Sequence, residues 1–522
     1  MNSIILTPRW MESTDGSASH PYQRVVGRFR RNRRDVLLIA PCVWYNLLIR
    51  SGAWILAALL LSGAAVRAQD PKPNVLLIYL DDMRTELGAY GVPRAKTPNL
   101  DALAKQSLLF SNAYCQYPVC GPSRASTLTG LTPDQLGIYG NHAKLRERQP
   151  DLLTLPQAFQ RAGYETVSIG KVFDQRVRDP QSWNAEYFYK QDALYAHEEN
   201  RRIHEENAAN NDSEWKVGPP VEIGREGRDL YEDEKISVKA HEELNRLAAE
   251  KKPFFLAVGF HKPHLPFAAP EKYWKMYDRS AIRLPDSKDV PAGSSPVAFW
   301  NWLELRAFQG VPKDGPLTDD VARELIHGYL AATSFTDDLA GQLLTELDNL
   351  GLAQDTIVVV VGDNGFHLGE LGQWVKYVNT ELATRIPLIL RAPGLAPRKV
   401  AGNVELLDLY PTLCALAGVK SDDGLKGRDL SEILLKGGDL PNDAPALSQV
   451  ERPGRAMGYS LRSGDWRYTH WTHPKTGETV GEELYDYPNG GIETVNLADK
   501  PEYKKTKDEL AAKMKALIES RK

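Results

Sequence analysis

The feature that most constrains this chain is a series of short apolar runs separated by segments with helical periodicity. Continuous apolar runs of this length are typical of strands buried on both faces of a parallel sheet. An amphipathic stretch over Ala322–Leu350 predicts a long helix that ends before Gly351. The predicted strands are Val75–Leu80, Tyr164–Ile169, Phe254–Phe260, Thr356–Val361 and Ile386–Leu390. This alternation predicts an α/β sandwich with a mostly parallel central sheet.

The first 68 residues differ in composition from the rest. They contain nine Arg and no Lys, and an apolar run extends from Gly52 to Val66 before Val66-Arg67-Ala68. A basic segment, a short apolar run and small residues at the end are typical of a secretory signal peptide. An uncleaved anchor is the alternative, although a membrane span needs about 20 apolar residues. We therefore expect 1–68 to be an N-terminal extension with a signal peptide, and the protein to be exported, periplasmic or secreted.

The remaining chain is expected to form two domains. Residues 69–440 contain all the predicted sheet strands and form the main domain. Residues 441–522 show a hairpin pattern around Ser463-Gly464-Asp465, followed by a charged amphipathic helix over Tyr503–Glu519. We expect this last segment to be a small C-terminal α+β domain.

Charge and cysteine content narrow the function. The formal net charge is −4 for the whole chain, and it falls to near −10 without the Arg-rich first 68 residues. This acidity argues against nucleic acid as a partner, and it means that an anionic substrate needs a locally positive pocket. Three cysteines follow residue 68: Cys115, Cys120 and Cys414. An odd number in an exported protein suggests a free or a modified thiol.

Four predicted strands lead into residues that can do chemistry. They run into Asp81-Asp82, Lys171, His261 and Asp363-Asn364. In open α/β sheets, ligands bind beyond the carboxyl ends of the strands, so we expect one shared site. Each group alone has a simpler explanation, such as a polar loop for Asp81-Asp82 or a turn at Asp363-Asn364-Gly365. Together, their oxygen atoms suggest a hard cation, Ca²⁺ or Mg²⁺, rather than zinc.

One motif identifies the chemistry. The segment from Cys120 to Gly130 reads CGPSRASTLTG. It resembles the signature of the sulfatase family, C-x-P-S-R followed by T-G. The alternative is a buried, inert cysteine. The resemblance implies an alkaline-phosphatase-like sandwich for 69–440. It also implies oxidation of Cys120 to formylglycine by a formylglycine-generating or sulfatase-maturing enzyme during export, and hydrolysis of sulfate esters.

Further blocks are similar to the iduronate-2-sulfatase branch of that family. They include Gly170–Phe173, Ala257–His264, Gly369–Tyr377 and Met457–Ser460. The resemblance implies that Arg124 and Lys171 orient the formylglycine, and that His261 and Lys376 bind the sulfate, with His261 protonating the leaving alcohol. It implies a Ca²⁺ site formed by the following residues: Asp81, Asp82, Asp363, Asn364 and the formylglycine at Cys120.

One position departs from that branch, which typically has His where this chain has Asp174. An Asp can act as a base but supplies no positive charge, and His142 or His264 can fill the space instead. We expect Tyr377, His264 and Asp174 to be the substrate-binding residues. The motivation for Tyr377 is its place directly after Lys376 in the iduronate-like block, where it can hydrogen-bond a carboxylate or a ring hydroxyl.

The expected substrate is a sulfated carbohydrate, and the Lys376-Tyr377 pair favours a uronic acid 2-sulfate. A formylglycine-dependent phosphonate or phosphodiester hydrolase of the same superfamily is an alternative function. An inactive, glycan-binding homologue is another alternative, and Asp174 is the only residue that supports it.

Overall fold

The computed structural model describes residues 72–189, 194–210, 218–225, 231–487 and 491–522. Residues Asp70–Lys522 form one compact unit. The signal peptide predicted within 1–68 lies outside the described residues. Within the described part of the chain, no helix is both long and apolar enough to cross a bilayer.

The described residues form fifteen strands and fourteen α-helices. The strands are β1 (Asn74–Asp81), β2 (Leu108–Tyr114), β3 (Glu165–Gly170), β4 (Ala185–Tyr187), β5 (Val221–Gly224), β6 (Phe254–Pro263), β7 (Phe267–Pro270), β8 (Thr356–Gly362), β9 (Arg385–Ile386), β10 (Leu388–Arg391), β11 (Arg398–Glu405), β12 (Ala446–Arg452), β13 (Ala456–Ser463), β14 (Trp466–Thr472) and β15 (Thr479–Asp486). The helices are α1 (Pro98–Ala104), α2 (Cys120–Thr129), α3 (Pro133–Leu136), α4 (Leu145–Arg148), α5 (Leu155–Arg161), α6 (Glu198–Asn210), α7 (Glu232–Glu250), α8 (Glu271–Trp274), α9 (Leu303–Ala307), α10 (Asp319–Asn349), α11 (Glu381–Thr384), α12 (Leu409–Leu416), α13 (Ser431–Leu435) and α14 (Lys504–Ser520).

A nine-stranded sheet forms the centre of the molecule. Its order is β11-β2-β10-β8-β1-β6-β3-β4, and the short β9 also pairs with β2. Strand β1 is parallel to both β6 and β8, and β3 is parallel to β6 and β4. Only β9 and β10 run antiparallel to their partners in this sheet, among the strands described. The predicted α/β architecture with a mostly parallel sheet is confirmed.

Both faces of this sheet are covered by apolar side chains. Alternate residues of β1 belong to two different cores, with Leu77 in one and Ile78 in the other. The first core is covered by α2, α5 and α12, and the second by α1, α7 and α10. Full burial of each large aliphatic side chain contributes about 1.5–3 kcal/mol. The sheet edge where β1 and β8 end is therefore held by a rigid apolar support.

A separate antiparallel sheet, in the order β12-β13-β14-β15, lies near the end of the chain. The predicted hairpin is confirmed, with β13 and β14 flanking Gly464. Helix α14 packs Leu510 and Met514 against Leu461 and Leu484 of this sheet. The small C-terminal α+β structure expected from the sequence is present.

One sequence prediction needs correction. The predicted strand Ile386–Leu390 is interrupted at Pro387, because proline cannot donate a ladder hydrogen bond, and its two parts form β9 and β10. The polar segment between β3 and α7 includes the helix α6 and contributes β4 and β5 to two sheets. Strands β2, β11 and β12 were not predicted.

The small sheet is joined to the part of the chain that forms the central sheet by a buried ion pair, and removal of this pair is our first prediction. The Nη2 of Arg467 on β14 donates to Glu381 of α11 at 2.7 Å, and Nε lies 3.7 Å from Glu493. Replacing Arg467 with Met removes the cation beside buried Glu493 and the nearer of two cations beside Glu381, which keeps Arg462 at 3.4 Å. We expect a loss of about 3–5 kcal/mol in the free energy of unfolding, measured by urea denaturation.

The matched control is Arg279→Met, which removes the exposed ion pair between Arg279 and Glu324. An exposed pair of this kind contributes about 0–1 kcal/mol. Equal losses for the two variants would contradict the role of Arg467 at this junction.

Candidate active site

The ends of β1 and β8 bring three carboxylates together. Leu80 pairs with Gly362, so Asp81 and Asp363 follow at the same edge of the sheet. The backbone N–H of Asp82 donates to Oδ1 of Asp363 at 3.0 Å. Asp82 itself has a φ of +58°, a backbone conformation that non-glycine residues rarely adopt. One oxygen from each of Asp81, Asp82 and Asp363 lies within 4.8 Å of the others. The structure therefore brings these three predicted site residues together at one edge of the sheet.

These oxygen atoms fit a hard cation. Two ligands of one Ca²⁺ ion, each at 2.3–2.6 Å, lie at most about 5 Å apart, which matches the observed spacing. The amide of Asn364 adds a fourth group, because its Nδ2 donates to Asp82 at 2.7 Å. Its Oδ1 is buried and has no hydrogen-bond partner within the described structure. A buried amide oxygen without a partner is costly unless it has a ligand, and a cation at this point would provide one.

Helix α2 places Cys120 and Arg124 against the carboxylates. Cys120 is the first residue of α2, and its Sγ lies 3.2 Å from Oδ1 of Asp81. One turn later, Arg124 donates from Nε to Asp363 at 2.8 Å and contacts Asp81 at 3.4 Å. Its guanidinium also stacks on the ring of Tyr79. Arg124 is completely buried, so its role here is to hold the carboxylates in position rather than to meet solvent.

Two lysines complete the charge cluster. The ammonium group of Lys171 contacts Asp81 and lies 3.7 Å from Asp174. Lys376 donates to both oxygens of Asp82, at 2.8 and 2.7 Å, and its Nζ lies 3.6 Å from the Sγ of Cys120. The ammonium group of Lys376 therefore lies beside Cys120, and that of Lys171 lies beside Asp81. Both can attract an anion to this place.

The pKa values reflect this crowding of charge. Burial raises the pKa of Asp363 to about 6, with Asp81 and Asp82 adding to the effect against the opposing Arg124. Burial acts in the same direction on Asp81, but Lys171 and Arg124 hold its pKa well below the usual range. Burial and Asp81 raise the pKa of the Cys120 thiol well above its ordinary value. The opposite pKa shifts of Asp363 and Asp81 thus reflect carboxylates that crowd one another and buried cations that offset their charge.

The structure distinguishes two candidate histidines. Nε2 of His264 lies 3.6 Å from Asp82, and the imidazole is grouped with Asp81 and Cys120 within 4.8 Å. His261 lies on β6 and faces elsewhere: its Nε2 is 3.2 Å from Glu232 and 2.6 Å from Nε2 of Gln175. The structure therefore places His264 beside Cys120, and His261 against α7.

Two residues that contact predicted site residues were not singled out in the sequence. Glu304 lies on α9 and is 3.1 Å from His264 and 3.5 Å from Lys376. The only sign in the sequence that Glu304 is buried is its place between Leu303 and Leu305, close to Trp302. Arg176 is the second, because its guanidinium binds Asp174 at 2.9 Å.

A cavity of about 290 Å³ adjoins the charge cluster at Glu304 and Tyr377. Aromatic rings form much of its wall, and polar groups from the C-terminal sheet complete it. The lining residues are Tyr117, Val119, Tyr139, Gly140, Asn141, His142, Trp300, Glu304, Tyr377, Glu451, Arg452 and Pro453. Concave, aromatic-rich cavities with a few polar groups are typical of ligand sites. Of the predicted substrate-binding residues, Tyr377 lines this cavity, His264 contacts Glu304 at its edge, and Asp174 is buried beside Lys171.

Comparisons with known proteins identify the family of this chain. The model of the Sulfatase family matches residues 73–419. Human iduronate 2-sulfatase (Homo sapiens) is 33% identical over 471 residues, which cover 76% of this chain and 84% of that protein.

Two solved structures share the fold. The phosphonate monoester hydrolase of Agrobacterium radiobacter superposes with a TM-score of 0.70 at 22% identity, over 86% of this chain and 96% of that one. A protein solved in complex with its substrate D-glucosamine-2-N,6-O-disulfate has a TM-score of 0.68 at 22% identity, over 86% of this chain and 98% of that one. The family match spans more than half of the chain and includes the charge cluster, so this chain belongs to the sulfatase family and is a sulfuric ester hydrolase.

Proposed function

We propose that this enzyme removes sulfate from a sulfated sugar, using a formylglycine made from Cys120 and a bound Ca²⁺ ion. One observation carries the proposal: Cys120, the first residue of α2, lies where a cluster of carboxylates and two lysines come together. A helix N-terminus adds backbone N–H groups that favour an anion at the same point.

Each component has a place in the site. Asp81, Asp82, Asp363 and the unpartnered Oδ1 of Asn364 would hold Ca²⁺, which stabilises negative charge on oxygen when it is bound. A formylglycine at position 120 would supply an aldehyde hydrate with two hydroxyls on one carbon: one could displace the alcohol from sulfur, and the other could expel sulfate by re-forming the aldehyde. Arg124 keeps Asp81 and Asp363 in position for the cation.

The lysines and one histidine act on the substrate in this proposal. Lys171 and Lys376 bind the sulfate oxygens, because their ammonium groups lie next to residue 120 and are buried. We assign protonation of the leaving alcohol to His264 rather than to His261, which lies against Glu232. Nδ1 of His264 faces the carbonyl of Leu265 at 2.6 Å and its Nε2 faces carboxylates, so both nitrogens have acceptors, as an imidazolium requires.

The cavity supports a sugar as the substrate. Its aromatic wall can pack against a pyranose ring, and Tyr377 can hydrogen-bond a carboxylate or ring hydroxyl next to the sulfate. Together with the iduronate-2-sulfatase likeness, this favours a uronic acid 2-sulfate. The human relative is named for activity on iduronate, and that substrate class is proposed here for this chain.

We further propose that the enzyme acts outside the cytoplasm, in the periplasm or after secretion. The support is the predicted signal peptide within 1–68. A formylglycine-generating or sulfatase-maturing enzyme is then the required partner, because it supplies the oxidation of Cys120.

The modification of Cys120 is directly testable. In protein exported by a competent host, we expect mass spectrometry of the peptide containing residue 120 to show formylglycine. We expect Cys120→Ser to abolish steady turnover of an aryl sulfate, because serine cannot release a bound sulfate through an aldehyde. Cys414→Ala, on α12, is the matched control and should remain active. An active enzyme with an unmodified thiol at position 120 would refute this mechanism.

The cation site predicts a linked loss of metal and activity. Replacing Asp363 with Asn keeps its shape but removes one negative charge and the nearer of two carboxylate partners of Arg124. We expect the bound Ca²⁺, measured by elemental analysis, and kcat/KM to fall together. The loss in kcat/KM should exceed about 100-fold, since even the partners of metal ligands matter by 10- to 100-fold.

The control for the cation test is Asp439→Asn, which changes an exposed carboxylate paired with Arg398. It should leave both metal content and turnover unchanged. Full activity of the wild-type enzyme after exhaustive chelation, with no metal left in the protein, contradicts the proposed site.

The role of Tyr377 gives a test of substrate class. We expect the wild-type enzyme to prefer a uronic acid 2-sulfate over the uncharged hexose 2-sulfate, and Tyr377→Phe to reduce that preference. A lost hydrogen bond to a charged group corresponds to about 1.5–3 kcal/mol, or roughly 10- to 150-fold in kcat/KM. Preference for the neutral sugar, or an unchanged ratio in Tyr377→Phe, would leave only the general sulfatase activity.

Turnover of an aryl phosphodiester in preference to an aryl sulfate would favour the alternative phosphodiester hydrolase.

A further inference from the structure

Asn141 connects the wall of the cavity to the start of α2. It is one of the residues that line the cavity, and its Oδ1 accepts a hydrogen bond from the backbone N–H of Gly121 at 2.8 Å. That backbone nitrogen is bonded to the carbonyl carbon of Cys120, the residue proposed to carry the nucleophile. Asn141 therefore lies one peptide unit away from the place where the reaction is proposed to occur.

The contact with Gly121 decides which end of the Asn141 amide remains available. A backbone N–H needs an acceptor, so Oδ1 faces Gly121 and Nδ2 takes the opposite position. Nδ2 donates to no group of the residues that the structure describes, and it is not one of their enclosed polar atoms without a partner. Asn141 as a whole is only 7% exposed. A buried side chain thus keeps two unused N–H donors within reach of a molecule in the cavity.

Gly121 permits this close approach because it has no side chain. A Cβ at position 121 would lie 2.7 Å from Oδ1 of Asn141, a distance at which the two atoms overlap. The tight packing and the hydrogen bond together hold the amide in one orientation. A group that is already held in place loses little further freedom when it binds a ligand.

Other polar groups of the cavity wall already have partners within the protein. The hydroxyl of Tyr139 donates to Asp134 at 3.0 Å, and the hydroxyl of Tyr117 accepts from the backbone N–H of Glu451 at 2.8 Å. The three nitrogens of Arg452 donate to backbone carbonyls at 2.6–2.8 Å. The amide of Asn141 differs from these groups because its donors are unused.

The aromatic rings near Asn141 indicate the kind of ligand that its amide would meet. Tyr139 lines the same cavity, and its ring centroid lies 6.5 Å from that of Tyr117. Aromatic rings can pack on the apolar face of a pyranose, and a neutral amide N–H donates to hydroxyl, carboxylate or ring oxygen atoms. A sugar offers both kinds of contact. An aryl sulfate can pack on the rings but has no oxygen atom outside its sulfate group.

We propose that Asn141 is a specificity-determining residue that donates from Nδ2 to an oxygen atom of the sulfated sugar outside the reacting sulfate group. The proposal rests on the proposed function, and it adds a residue that distinguishes a sugar sulfate from an aryl sulfate. Tyr377 lines the same cavity and comes from the loop after β8, so two distant segments of the chain would bind the sugar.

The test compares the substrates in Asn141→Leu and in the wild-type enzyme. Leucine keeps the branched shape of asparagine but removes the N–H donors. We expect the ratio of kcat/KM for a uronic acid 2-sulfate to kcat/KM for an aryl sulfate to fall about 2- to 12-fold, the range for a lost hydrogen bond between neutral groups. A displacement of residue 120 would affect both substrates, so the ratio isolates the contact with the sugar.

Asn245→Leu is the matched control. It makes the same change at an exposed asparagine of α7, whose Nδ2 already donates to Glu346 at 2.8 Å. We expect this variant to keep the wild-type ratio. Thermal unfolding of each variant shows whether a loss reflects the fold. Asn141→Ala removes the same donors with a smaller side chain, and it keeps the test valid if Asn141→Leu is unstable.

The outcomes separate the role of Asn141 from the proposed function. Equal losses on the two substrates would show that Asn141 only supports α2 or the reacting sulfate, and would overturn the inference, as would an unchanged ratio. If the wild-type enzyme prefers an uncharged hexose 2-sulfate, we expect the same fall with that sugar, because it also carries hydroxyl oxygens. A wild-type enzyme that hydrolyses no sulfate ester would instead refute the proposed function, and the inference with it.

Discussion

The buried charge cluster at the ends of β1 and β8 is the constraint on which the rest of the structure depends. Asp81, Asp82 and Asp363 are completely buried, and Arg124, Lys171 and Lys376 are at most 3% exposed. An isolated charge in such a place is very costly, and each is tolerated because it faces opposite charges at short distance. The register of β1 with β8 and the start of α2 at Cys120 must therefore be held accurately. The apolar cores on both sides of the sheet do this.

A second set of buried polar contacts holds the loop that carries Lys376. Arg84 pairs with Glu370 at 2.9 Å and with Glu86 at 2.8 Å, near the start of this loop. His367 faces the carbonyl of Val375 through Nδ1 and the hydroxyl of Thr380 through Nε2. Burial lowers the pKa of His367 to about 4, so it stays neutral in these contacts at physiological pH. The position of Lys376 against Asp82 thus depends on these contacts, which join the loop after β1 to the loop after β8.

Much of the fold and of the reacting centre could be predicted because strong local signals mark them. Strands β1 and β8 are continuous apolar runs, and the polar residues that follow them must lie at one sheet edge. Strands β2 and β11 escaped prediction because both contain polar residues, as in Ser111-Asn112 and Arg398-Lys399, and no apolar run separates them from their surroundings. Glu304 was missed because its burial depends on contacts with His264 and Lys376, which lie far from it along the chain.

The groups that follow the central strands, the family to which the chain belongs and a set of oxygen-bearing side chains that could hold a metal ion can all be read from the sequence. These follow from local patterns, since strand period and strand direction decide where such residues must lie. The tertiary structure was needed to show which of two neighbouring histidines faces Cys120, because the turn between His261 and His264 points them to different partners. That outcome depends on side-chain contacts with Glu232, Asp82 and Glu304, which are distant along the chain, and no sequence period encodes those contacts.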